Sequence, residues 1–255
     1  MDRRARRWMR GCAGLAFAVL LAAPAQAGSD DPAAGLSREQ IERIVHDYLM
    51  REPEVVYQAL QELQRRQDAA KTEHQKAAVA ANHSQLFQHP GDPVGGNPDG
   101  DVTVVEFFDY QCAYCRRVMP SLQAQLRDDG KLRVVFKDFP ILGENSVTAA
   151  RAALAARQQG RYVPFHFALM GASDLSLDGI MAVARSVGID TQRLATDMNA
   201  PEIETQIQAN YALARTLGIE GTPAFVIGDE LIPGALSKTR LTELIQEART
   251  GCVSC

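Results

Sequence analysis

Tryptophan is all but missing from this chain: of 255 residues a single one, Trp8, carries an indole, and it lies close to the start. A protein trimmed of its first residues would have no tryptophan fluorescence to report its state. Long apolar runs are missing too. The pronounced one, Gly11 to Ala23, falls short of the roughly 20 residues that cross a bilayer as a helix. Positive charge is not in excess: Lys and Arg number 27 against 31 Asp and Glu, a net charge of -4. That balance argues against nucleic acid and against an anionic membrane surface as partners. Histidine and cysteine are sparse at five each, yet four of the cysteines fall into two C-x-x-C pairs, Cys112/Cys115 and Cys252/Cys255.

The first residues read as an export signal. Arg3, Arg4, Arg6, Arg7 and Arg10 make a basic start, Gly11 to Ala23 an apolar core, and Ala25-Gln26-Ala27 a small-x-small cleavage site. Residues 1–27 are therefore expected to be a cleaved signal peptide. An uncleaved anchor is the alternative. A lipoprotein is rejected because Cys12 precedes the apolar core rather than following it, while paired arginines leave a twin-arginine signal as a weaker reading. Cleavage makes the chain more acidic and removes Cys12. Two C-x-x-C pairs in an exported protein fit an oxidising compartment, the periplasm.

Val102 to Met119 organises the rest. The apolar run Val102–Phe108 predicts a buried strand, Asp109-Tyr110-Gln111 ends it, and Cys112 and Cys115 follow at the start of a helix interrupted by Pro120. Unpaired backbone N–H groups and the helix dipole stabilise a thiolate there. An exposed Cys112 is the expected attacking sulfur. Cys115, one turn further in, is expected to resolve the mixed disulfide. Half a zinc site is the rival reading, but it needs two more ligands at suitable spacing, and no histidine lies near Cys112. Glu106 is an acid in the apolar strand. A buried carboxylate needs a partner or a raised pKa, unless it faces solvent on an edge strand.

E-F-F-D-Y-Q-C-A-Y-C, together with G-T-P-A-F-V-I-G-D from Gly221 to Asp229, resembles the DsbA family of thiol–disulfide oxidoreductases, most closely its ScsC-like, copper-sensitivity-suppressor branch. The resemblance covers Val94 to Thr250. It implies a thioredoxin-like α/β fold with a DsbA-like helical insertion at about 141–217 inside a domain spanning 91–255, capping the site. It also implies a cis Pro223 facing the cysteines, with Thr222 pairing with substrate backbone. Glu106 becomes a proton acceptor beneath Cys115, with Lys137 as its partner. No cofactor is implied and no metal is required, since the cysteine pair carries the electrons. The substrates are cysteines of exported proteins, and a membrane redox partner, reductant or quinone-linked oxidant, resets the pair. Direction stays open between isomerase and oxidase. A Cu(I)-binding protein using the same thiols is the alternative.

Residues 28–90 are expected to form an N-terminal helical segment. Ser37-x-x-Gln40 resembles a capping box, and Pro53 suits the first turn of a second helix. From Val56 a heptad seam runs through Leu60, Leu63, Gln67, Ala70, His74, Ala77 and Ala81. Such a helix either packs on the catalytic domain or meets copies of itself. The resemblance favours the second, as a homotrimer. The Pro/Gly-rich stretch His89–Gly100 is expected to let the catalytic domain move. His74, His83 and His89 read as solvated rather than metal-binding, and His166 as structural. Phe165, Phe167, Leu169 and Met170 read as core or as a peptide groove, and Cys252/Cys255 as an inert pair or a second dithiol.

Overall fold

The structure, a computed structural model, describes residues 35–251. The expected signal peptide, Trp8, Cys12 and the Cys252/Cys255 pair lie outside the described residues. The chain forms two compact units, the first ending at Leu60 and the second beginning at Gln61, upstream of the expected boundary at 90/91.

The first unit holds α1 (Arg38–Arg51) and the beginning of α2 (Glu54–Ala81). Ser37 caps α1 with the expected box: its hydroxyl accepts from the Gln40 N–H, and the Gln40 side chain accepts from the Ser37 N–H. No residue of α1 is buried, and Ile41, Ile44, Val45, Tyr48, Val56 and Leu60 stand exposed.

The second unit is built on a five-stranded sheet: β1 (Val94–Gly96), β2 (Val102–Phe108), β3 (Leu132–Asp138), β4 (Ala224–Ile227) and β5 (Glu230–Pro233). The spatial order is β1-β3-β2-β4-β5, with β2 and β3 parallel and the other pairs antiparallel. Parallel neighbours need a crossover, and α4 (Ala113–Asp128) supplies it, running through Pro120. Between β3 and β4 lies the helical insertion: α5 (Glu144–Ala156), α6 (Tyr162–Gly171), α7 (Leu177–Ser186), α8 (Thr191–Asp197) and α9 (Pro201–Leu217). The last helix, α10 (Lys238–Thr250), is capped by the Ser237 hydroxyl. This is the expected DsbA-like thioredoxin fold. Side-chain alternation sends Val104 and Phe108 of β2 into a core shared with α4, α10 and the insertion. Val105 and Phe107 point into a second core with Leu213 and Leu217 of α9, Val79 of α2, and Leu86 of α3 (His83–Phe87).

Val79 packs inward, yet the seam positions Leu63, Gln67, Ala70, His74, Ala77 and Ala81 stay exposed. So, within the second unit, α2 packs through a stripe other than its heptad seam. The Pro/Gly-rich stretch is not the free tether expected. Asp92 is 6% exposed, its carboxylate bonded to the Lys137 ammonium and 2.7 Å from the Gln206 amide nitrogen. Lys137 also donates to the Gln85 carbonyl at 2.6 Å, and the Phe136 N–H to the Pro93 carbonyl at 3.0 Å. Arg157 grips the carbonyls of Pro90 and Gly91. A buried cation recruits whatever acceptors are in reach, and here those are the residues of this stretch and of α3.

Candidate functional site

Cys112 is the N-cap of α4, with extended backbone and no side-chain cap bond. Its own N–H donates to the Asp109 carbonyl at 3.1 Å, and its carbonyl accepts from the Arg116 N–H at 3.1 Å. The strand thus ends in a tight turn that delivers Cys112 to the helix start, where the leading N–H groups have no partner within the helix. The Thr222–Pro223 peptide is cis, and the Cys112 thiol donates to the Thr222 carbonyl at 3.2 Å. The two motifs, 110 residues apart in sequence, meet here. Cys112 was expected to be exposed; with the Thr222 carbonyl against its sulfur it is only 6% exposed. Cys115 is fully buried, and burial first, then the charge of Glu106, pushes its thiol up.

Glu106 is fully buried, and neither of its carboxyl oxygens has a hydrogen-bond partner among the described residues. Burial pushes it up to about 8. The expected pairing with Lys137 does not form. Across the parallel ladder Lys137 aligns with Phe107, whereas Glu106 aligns with Phe136, so the two charged side chains leave opposite faces of the sheet. Lys137 meets Asp92 instead.

His166 is buried among Phe108, Phe136, Phe167 and Tyr162, stacked on the last with ring centroids 5.7 Å apart. Its Nδ1 lies 3.0 Å from the Tyr110 hydroxyl, and burial drives it down to about 3, so it stays neutral. Phe165, Leu169 and Met170 are buried and Phe167 is partly so; they form core, not an open groove.

Sequence reasoning passed over a clasp beside the cysteines. The buried Asp109 carboxylate accepts from the Gln111 N–H (2.7 Å), the Ser146 hydroxyl (2.7 Å) and the Leu142 N–H (2.9 Å). The Gln111 amide donates to the Leu142 carbonyl and the Ser146 hydroxyl oxygen, both at 2.9 Å. Arg116 adds bonds to the carbonyls of Tyr110 (2.8 Å) and Ala172 (2.6 Å). The signal was present: an Asp closing an apolar strand, two residues before the N–H it accepts from, is an Asx turn. Ser146, 37 positions on, carries no such local mark.

The site therefore offers two thiols, one at a helix start against a peptide carbonyl and one buried near an unpaired carboxyl. Such an arrangement can exchange disulfides, and its two sulfurs are soft donors of the kind that bind Cu(I).

Comparison with known proteins bears on both. Residues 103–246 match the model of the DSBA-like thioredoxin domain, and residues 38–70 that of the copper resistance protein ScsC N-terminal domain. A thioredoxin-like oxidoreductase from Silicibacter pomeroyi is 51% identical, covering 66% of this chain and 98% of its own, with a TM-score of 0.64. A linker-deleted ScsC of Proteus mirabilis is 27% identical, covering 86% of this chain and 99% of its own, with a TM-score of 0.67. A periplasmic thioredoxin-like protein from Salmonella enterica serovar Typhimurium is 32% identical over 66% of this chain and 95% of its own, with a TM-score of 0.60. Among curated relatives, the chain spans 28% of the length of the Na(+)/H(+) antiporter NhaA of Herminiimonas arsenicoxydans, to which it is 28% identical over 179 residues.

Proposed function

This chain belongs to the DSBA-like thioredoxin family of disulfide oxidoreductases, and from that premise we propose that it exchanges disulfides with the cysteines of exported proteins in the periplasm, through Cys112 and Cys115. The observation that carries the proposal is the meeting of Cys112 Sγ, at the start of α4, with the Thr222 carbonyl 3.2 Å away, beside a buried Cys115. The address rests on the signal pattern of residues 1–27 and on the periplasmic relative.

With the pair reduced, the Cys112 thiolate attacks a substrate disulfide. A Cys112–substrate bond forms and the second substrate sulfur leaves as a thiolate. Cys115 then loses its proton to Glu106, a carboxyl near 8 and so poised to exchange a proton at neutral pH. Its thiolate attacks Cys112 Sγ, the substrate departs reduced, and two electrons have passed to it. Run backwards, the same steps oxidise a substrate dithiol. Thr222 and Pro223 hold substrate backbone in front of Cys112. A membrane redox partner, reductant or quinone-linked oxidant, resets the pair. Cys115→Ala is expected to trap substrates on Cys112 as mixed disulfides seen on non-reducing gels; trapping through the other cysteine of a Cys112→Ala variant instead would reverse the roles.

The working direction is disulfide shuffling. The exposed seam at Val56, Leu60 and Leu63 supports a homotrimer, and several sites facing one misfolded substrate raise the effective concentration of thiols. Leu60→Asp is expected to turn the oligomer into a monomer by light scattering and to lower rescue of scrambled disulfides; a wild type already monomeric sinks this part. Thiol trapping in cells sets direction, mostly reduced Cys112/Cys115 for an isomerase and mostly oxidised for an oxidase. The match of residues 38–70 to a copper resistance protein's domain favours a second reading, Cu(I) held by the same two thiols. Loss of Cu(I) binding in the Cys112→Ala/Cys115→Ala double variant tests it.

A further inference from the structure

Among the described residues, four buried side-chain atoms find no hydrogen-bond partner: both carboxyl oxygens of Glu106, Asp138 Oδ1 and His166 Nε2. All three residues sit in one region of the core. In the parallel ladder Glu106 stands opposite Phe136 and Phe108 opposite Asp138, and side-chain alternation puts these four on one face of the sheet. The two acids therefore occupy opposite corners of a square. Rings fill the other two corners, and His166 rests on both, its centroid 4.7 Å from that of Phe108 and 4.4 Å from that of Phe136. An unsatisfied polar group in a core costs stability, so three of them gathered at one place point to a function.

A chain of polar groups leads out of this square. The Tyr110 hydroxyl lies 3.0 Å from His166 Nδ1, and its ring packs edge-on against Phe108 at 5.1 Å. The rings of Tyr110 and Tyr162 flank His166 at 5.6 and 5.7 Å, and their hydroxyls act on one another. Tyr162 in turn donates to Asp138 Oδ2 at 2.9 Å. Tyr162 also lines a cleft of about 270 Å³, together with Asp92 and the exposed Arg157, Gly160 and Pro164. At the inner end of the chain, the charge of Glu106 acts on Tyr110 as well as on Cys115. At the outer end, those of Asp92 and Arg157 act on Asp138, which burial pushes up to about 8. His166 stays neutral and orients Tyr110.

The exchange cycle needs such a chain. Each time Cys115 passes between thiol and disulfide, Glu106 is left with a proton to shed or to recover, and Glu106 is fully buried. Resting on the disulfide-exchange reading, we propose that Tyr110, Tyr162 and Asp138 are positioning residues that form a proton relay between Glu106 and the cleft beside Arg157. Glu106, bonded to nothing among the described residues, turns from Cys115 and gives its proton to the Tyr110 oxygen. Tyr110 passes its own to Tyr162, Tyr162 its own to Asp138, and Asp138 gives one to water in the cleft. One proton leaves, both phenols end neutral, and Glu106 ends as the carboxylate that Cys115 needs. The reverse passage recharges it.

The test uses the full mature chain, reduced, and the disulfide of thionitrobenzoate, whose coloured thiolate stays unprotonated at neutral pH. The first thiolate released reports attack by Cys112, and the second reports attack by Cys115 on the mixed disulfide. Tyr162→Phe keeps the ring against His166 and removes the hydroxyl. It should slow the second release by a factor approaching about a hundred, the lower end of what proton-transfer assistance contributes, and the first far less. Added imidazole, a small proton carrier, should restore the second release in proportion to its concentration while leaving the wild type unchanged. Tyr110→Phe cuts the same chain nearer Glu106; it should behave alike, and it serves should Tyr162→Phe fail to fold. In a Glu106→Gln background Tyr162→Phe should slow release no further, because both changes act on one path. Tyr211→Phe, which removes a hydroxyl bonded to the Pro140 carbonyl, should match the wild type. A second release at the wild-type rate in folded Tyr162→Phe or Tyr110→Phe overturns the relay. Slowing that imidazole leaves in place, or further slowing on top of Glu106→Gln, overturns it too and makes the hydroxyls structural. A wild type that releases neither thiolate overturns the exchange reading itself.

Discussion

Glu106 and Lys137 make an instructive pair. Both are ionisable, both are buried, and they stand on adjacent strands, yet they leave opposite faces of the sheet. Lys137 has found a counter-charge in the Asp92 carboxylate and a second acceptor in the Gln85 carbonyl. Glu106 has found none among the described residues. Buried polar groups are ordinarily satisfied because an unsatisfied one costs stability. The satisfied charge therefore belongs to architecture, tying the Pro/Gly-rich stretch and α3 to β3. The unsatisfied one sits on the side of Cys115, where an uncommitted carboxyl is useful to proton transfer.

Breaking the architectural side should have the largest effect. Lys137→Ala strands the Asp92 carboxylate in the interior, and urea unfolding should show a loss of about 3–5 kcal/mol; a loss under 1 kcal/mol would mean the pair is not an anchor. On the other face the sign reverses. Glu106 is raised from 4.5 to about 8 in the fold, so the native state holds its proton more tightly than the unfolded one. Its contribution is intact below pH 4.5 and is lost as pH rises toward 8. Relative to Glu106→Gln, the wild type should lose on the order of 1 kcal/mol per pH unit across that window; parallel stability curves would refute the raised carboxyl. The same variant should slow release of mixed disulfides by about a hundredfold, the lower end of what general-base assistance contributes, and slow the first attack far less. Stopped-flow measurement of both steps decides it, and equal slowing removes Glu106 from proton transfer. The smallest change belongs to the matched replacement Lys137→Met with Asp92→Leu, expected within about 1 kcal/mol of wild type or above it, with exchange rates unaltered.

Much of this fold was readable beforehand where the signal is local. Val102–Phe108, Ala224–Ile227 and Pro201–Leu217 begin and end where apolar runs, turns and prolines place them. Ser37 and Ser237 cap the helices they precede. The Thr222–Pro223 peptide is cis and meets the cysteines, where the resemblance puts Pro223, and of the two readings of Glu106 the buried one holds. What stayed hidden depends on long-range choices. The partner of Lys137 lies 45 residues away, and nothing in either sequence neighbourhood announces it. Phe165 and Leu169 look alike whether they line a groove or fill a core, because apolarity says that a residue is covered and not by what. Ile141 and Leu142 carry the reverse ambiguity, apolar residues that the fold leaves in solvent. Helix ends are the least local part of the signal: α5 stops at Ala156 and a short 3-10 turn carries the chain to Gly160 in the left-handed region.

The two margins of the sheet carry a last consequence. β1 is three residues long, follows Pro93 and turns away at Gly96; β5 is four residues long and closes on Pro233. Neither presents a long row of free N–H and C=O groups. A protein whose proposed clients are incompletely folded chains works among strands in search of a template. Margins this short and this interrupted by proline and glycine give such chains nowhere to stack, so a protein that worked among them as proposed would not seed their aggregation.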